Sequence, residues 1–124
     1  MRFKAPRDDE RFFWTRHSKT KMREYQLSEK RVKRVLRNPG RVEEGIAPNT
    51  LAVMQPTGTK KHPTEIWVMY QTVSSKRKVK SEKSKKIRII SAWRYPAKSP
   101  IGKPPPIPED TLAELEKIIK SNYN

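Results

Sequence analysis

The chain has 124 residues, 33% of them hydrophobic and 34% charged, and 29 Lys and Arg against 13 Asp and Glu leave a formal charge of +16. That length supports one domain with a modest core, and so much unbalanced, self-repelling charge points to a polyanionic partner, nucleic acid first. The absence of cysteine excludes disulfides, cysteine nucleophiles and thiolate zinc sites, while the lack of any run of about 18 apolar residues or of a signal-like start argues against a membrane and for a cytoplasmic location.

Residues 1 to 10 are charged and read as a flexible arm. Phe12-Phe13-Trp14 suits a strand or a buried lead-in, and Thr15 is placed to cap a helix from Arg16 to about Tyr25. Ser28 caps a second helix in which Val32, Val35 and Leu36 keep helical spacing, and Asn38-Pro39-Gly40 ends it. Two short consecutive helices predict a helical hairpin with one apolar side. The partner for that side is a sheet, because strand-like runs follow at Arg41 to Ile46, Thr50 to Gln55, Glu65 to Ser74 and Lys86 to Tyr95, separated by turn-forming residues.

Between the last two runs, Lys76 to Lys86 carries seven cations and one anion and has almost nothing to bury, so an extended tip or loop is expected. Residues 97 to 108 form a proline-rich, stiff connector. A last helix from Glu109 places Leu112, Leu115, Ile118 and Ile119 on one stripe, with acids at its front and lysines at its back as the helix dipole favours. The predicted fold is α+β: two N-terminal helices on an antiparallel sheet of about four strands, with the main domain at 11–96 and a C-terminal helix at 109–124 that either docks on the sheet or binds a partner.

Some of these residues resemble a small bacterial family of unknown function related to the BrnT and RelE toxins. His17-Ser18-Lys19-Thr20-Lys21-Met22 is similar to the family's opening pattern, and Leu27-Ser28, Val32, Val35, Leu36, Asn38 and Pro39 are similar to its capped second helix. Arg88-Ile89-Ile90-Ser91-Ala92 is similar to the final strand of BrnT-type toxins. The likeness covers residues 12 to 96, and it departs at Tyr25-Gln26 and at Trp93-Arg94. It implies a compact ribonuclease-toxin fold that cleaves RNA without metal, in some members on the ribosome, and that an acidic antitoxin protein holds inactive.

Metal-free RNA cleavage needs a base for the 2′-hydroxyl proton, a cation for the phosphate and an acid for the leaving oxygen. His17 is the histidine placed on a predicted helix and is the candidate base, the plain alternative being a packing residue. Arg88 and Arg94 are an even number of residues apart on one predicted strand. They are therefore expected on one face, where two guanidinium groups can clamp a phosphate. Tyr70 is the candidate proton donor or base-stacking ring. Lys76, Arg77, Lys78, Lys80, Lys83, Lys85 and Lys86, joined by Lys21, are the expected phosphate contacts. No cofactor or metal is expected, since two histidines and scattered carboxylates make a weak donor set. Two functions stay open: a metal-independent endoribonuclease toxin, or a non-catalytic RNA-binding or ribosome-associated module.

Overall fold

The computed structural model describes residues 3–74 and 85–121. Its elements in chain order are β1 (Phe12–Trp14), α1 (Arg16–Tyr25), α2 (Glu29–Arg37), β2 (Arg41–Glu44), β3 (Thr50–Gly58), β4 (Pro63–Ser74), β5 (Lys85–Tyr95) and α3 (Glu109–Ser121). The α+β class expected from sequence holds. The sheet is wider than expected and mixed: five strands in the order β1-β5-β4-β3-β2, antiparallel except that β1 runs parallel to β5. Three residues are enough for β1 because it pairs only with Ile87, Arg88 and Ile89.

Both helical starts are capped as the sequence predicts. The Thr15 side chain accepts from the Ser18 amide and the Ser28 side chain accepts from the Arg31 amide, each satisfying one of the amides a helix start leaves free. Gln26 then takes a left-handed backbone (φ 55°) that closes α1 and turns the chain into α2.

Directly paired residues on neighbouring strands share a face of the sheet, and the two faces bury different cores. The first face holds Val53, Ile66, Val68, Ile89 and Ala92, and Met22, Leu27, Val32 and Val35 from the helical hairpin close over it together with Trp14. The second holds Ala52, Met54, Trp67, Met69, Ile90 and Trp93 under Leu115 of α3, with Leu112, Ile118 and Ile119 packed around it. The C-terminal helix therefore docks on its own domain. Helix α1 lies along the edge of β5 that β1 leaves open: its cap residue Thr15 donates its amide to the Ile89 carbonyl, and the Tyr25 carbonyl at its other end accepts from Arg94 Nε at 2.9 Å.

The first ten residues, expected as a flexible arm, are tied down from Phe3 onward. Phe3 packs against the first core and Pro6 is buried. Asp9 accepts from the Arg11 and Phe12 amides and Asp8 from the Trp14 amide, each at 2.8 Å. The two backbone bonds to Asp9 hold its carboxyl below the ordinary carboxylate value. The connector is equally anchored. Glu65, 2% exposed, accepts from Trp67 Nε1 at 3.0 Å and from the Ser99 amide at 3.1 Å. Arg41 donates to Ser99 Oγ, the Pro100 carbonyl and the Lys103 carbonyl while its guanidinium lies 5.3 Å from the Trp67 ring centre.

Candidate functional site

The decisive local feature is a β-bulge on β5. Met69 pairs with Ser91 and Tyr70 with Ile89, so Ile90 is an extra residue opposite that step. An extra residue reverses the alternation of side chains on either side of it. Arg94 pairs with Ile66 and lies on the face of the helical hairpin, whereas Arg88 pairs with Gln71 and lies on the face of α3. The expectation that Arg88 and Arg94 share a face is therefore corrected. Thr15 holds the bulge in place: its hydroxyl is directed at the carbonyls of Ile89 (2.9 Å) and Ile90 (3.2 Å) while the same oxygen accepts from Ser18 at the helix start.

The bulge leaves one end of the second face open between the start of α1 and the end of α3. The resulting groove, about 610 Å³, is lined by Phe13, Thr15, Arg16, His17 and Thr20, by Gln71, Arg88 and Ile90 of the sheet, and by Glu114, Lys117, Ile118 and Ser121 of α3. Arg88 is half-buried and stacks over Phe13 at 5.8 Å. Its Nε atom is buried and has no hydrogen-bond partner among the described residues. A buried guanidinium N–H without an acceptor is costly unless a ligand supplies one. Arg16, Arg88 and Lys117 give the groove a net cationic lining against Glu114, which is paired to Lys117 at 3.3 Å.

His17 stands at the groove wall. Its Nε2 is 2.9 Å from Thr111 Oγ1, which in turn is 2.8 Å from Ser91 Oγ; Thr111 and Ser91 are fully buried. Partial burial pushes the His17 pKa below its ordinary value, and Lys21 and Lys117 add to that while Asp110 and Glu114 oppose it. The lowered value favours the neutral imidazole, in which one nitrogen is a donor and one an acceptor.

Of the four expected catalytic residues, the structure brings His17 and Arg88 to the groove and leaves Tyr70 and Arg94 outside it. Tyr70 packs against the first core, where burial raises its pKa. Lys21, expected to contact phosphate, is instead 3% exposed and ion-paired to Asp110 at 3.0 Å and Glu24 at 3.2 Å. Burial alone would lower its pKa, but the hydrogen bonds that Lys21 donates to Asp110 and Glu24 outweigh that and raise it. Lys76, Arg77, Lys78, Lys80 and Lys83, and the side chain of Lys85, lie outside the described residues. Lys86 pairs with Val73 at the start of the described part of β5.

Sequence reasoning missed Phe13, Arg16, Gln71, Thr111 and Lys117. Phe13 was within reach, because in Phe12-Phe13-Trp14 strict alternation sends the middle ring to the opposite face. Thr111 gave no signal, since a threonine in a helix's first turn is ordinary. Among the described residues no three His, Asp or Glu side chains gather as a metal site, and no helix is long and apolar enough to cross a membrane. Comparison with family models, with curated proteins and with solved structures finds no match for this chain.

Proposed function

We propose that this chain is an RNA-engaging domain whose groove between α1, β5 and α3 holds a phosphate of a single-stranded segment. The observation that carries the reading is Arg88, whose buried Nε lacks an acceptor among the described residues and lies beside an exposed aromatic ring and two further cations. Single-strand binders pair backbone-tracking cations with rings on which bases stack, and Phe13, 39% exposed, is such a ring. The formal charge of +16 supports a polyanion, and the resemblance to BrnT and RelE proteins supports RNA. The test is fluorescence anisotropy of a labelled single-stranded RNA with wild type and Arg88→Gln. The variant is expected to bind about tenfold more weakly or worse, since a hydrogen bond to a charged group contributes roughly 1.5–3 kcal/mol. An unchanged affinity would remove Arg88, and with it the groove, from the reading.

A second reading, a metal-independent endoribonuclease toxin, is favoured by the meeting of His17 and Arg88 on one groove. The neutral imidazole, oriented by Thr111 and Ser91, is the group to accept the 2′-hydroxyl proton, Arg88 is the group to stabilise the charged phosphate, and the departing 5′-oxygen takes its proton from solvent. An acidic antitoxin protein belongs to this reading as the partner that would cover the groove. Its test is end-labelled RNA incubated in EDTA, with and without ribosomes. Fragments ending in cyclic phosphates, lost in His17→Ala, are the expected result; intact RNA under both conditions leaves the binding module alone.

A further inference from the structure

Helix α2 carries Lys30, Arg31, Arg34 and Arg37. Val32 and Val35 are completely buried and Leu36 packs beside them, so Lys30, Arg34 and Arg37 lie exposed on the opposite, outward arc of the helix, with half-buried Arg31 at its margin. The helix's one acid, Glu29, is taken by Lys33 at 3.2 Å, and Lys33 also lies 4.7 Å from the Phe12 ring centre. None of these four cations forms an ion pair among the described residues.

Helix stability explains only part of this stripe, since the dipole favours Arg34 and Arg37 in the last turn. Lys30 and Arg31 sit in the first turn, where the dipole disfavours cations. Lys30 and Arg34 are four apart, Arg31 and Arg34 three, and Arg34 and Arg37 three, and like charges at those spacings destabilise a helix. An interfacial membrane helix would need its apolar side free, and here that side is sunk in the core. The stripe also lacks an exposed aromatic ring, the feature that suits a groove to unpaired bases. What remains is a rigid row of cations about 10 Å long, suited to regularly spaced phosphates whose bases are turned inward.

We infer that the outward face of α2 is a second nucleic-acid surface, separate from the groove, that grips the backbone of paired RNA through Lys30, Arg31, Arg34 and Arg37. The inference rests on the RNA reading above and adds a division of labour: α2 holds a duplex or hairpin stem while the groove receives an unpaired segment beside it.

The test measures binding of an RNA hairpin and of an unstructured RNA strand against salt concentration. It uses the full chain as wild type, as Lys30→Gln/Arg34→Gln/Arg37→Gln and as Arg88→Gln. All three α2 positions are exposed, so circular dichroism of the triple variant should match wild type. For the hairpin, the triple variant should flatten the log affinity against log salt plot by about 2 to 3, at roughly 0.7–0.9 per lost phosphate contact. Its affinity for the unstructured strand should change by no more than about threefold, the residual long-range field effect, and Arg88→Gln should show the reverse pattern. An unchanged hairpin slope in the triple variant would overturn the α2 surface, leave the groove reading standing and turn attention to an acidic protein partner. Equal losses for hairpin and strand would overturn the assignment to paired RNA. If wild type bound neither RNA at low salt, the RNA reading itself would fall and this surface with it.

Discussion

The two layers that cover the sheet are joined to it by different physics. The helical hairpin meets its face mainly through apolar side chains, with Met22, Leu27, Val32 and Val35 all completely buried, beside the hydrogen bonds that join Thr15 and Tyr25 to β5. The connector and α3 meet theirs through Leu115, Leu112, Ile118 and Ile119 together with polar joints, Glu65 to Ser99 and Trp67, Arg41 to Ser99 and the connector carbonyls, and Thr111 to Ser91, while His17 and Lys21 of α1 tie α3 to the hairpin. Apolar contacts are indifferent to pH and to moderate salt, whereas hydrogen-bonded and ionic joints are not. The difference teaches that the hairpin is held to the sheet mainly by contacts that pH and salt leave alone, whereas the joints around α3, one wall of the groove, respond to solution conditions.

The largest expected effect breaks the hairpin's apolar contact. Leu27→Ala removes a completely buried side chain and should lower stability by about 2–5 kcal/mol, read by urea denaturation, with a loss that stays constant across pH and salt. A loss that varied strongly with pH would mean that the layers are not distinct in kind. Next, Glu65→Ala leaves the Trp67 and Ser99 donors buried without an acceptor and should cost about 1–3 kcal/mol. Hydrogen exchange should rise first in the connector, at Ser99 and its neighbours, while α2 keeps its protection.

The smallest effect is a pH dependence on the α3 side. The folded protein holds the His17 pKa below its ordinary 6.5, mainly through burial, so the unfolded chain takes up the proton first as pH falls. Stability is therefore full above about pH 6.5 and declines as the pH drops from there through the lowered folded value. His17→Gln should flatten thermal denaturation over that window. Below it, Asp110 brings a separate decline. Partial burial would raise its pKa, but the Lys21 hydrogen bond and charge hold it under the ordinary 3.8, so its contribution disappears only as pH falls through that low value.

Much of the fold is legible in the residues because it is written in local rules. Thr15 and Ser28 announce the helix starts, Asn38-Pro39-Gly40 the stop, and the stripe of Leu112, Leu115, Ile118 and Ile119 the face by which α3 docks. What stayed hidden depends on distant partners. Phe12-Phe13-Trp14 suits a strand or a buried lead-in on its own residues, but its parallel place beside β5 has no local sign. Lys21 looks like any surface lysine until Asp110, far away in sequence, arrives to bury it. The candidate site suffered most, because the spacing of Arg88 and Arg94 gives the right answer for a regular strand and the wrong one for a strand with a residue inserted at Ile90. His17 and Arg88 were found from their chemistry; Phe13 and Thr111, which position them, were not.

That inserted residue also governs how this strand can be compared with others. A homologue whose last strand runs without the bulge will be one residue shorter between Ile89 and Ala92, and its alignment to this chain needs a gap there. Without the gap, every column on one side of the bulge superposes an outward side chain on an inward one, and two arginines matched letter for letter would stand on opposite surfaces.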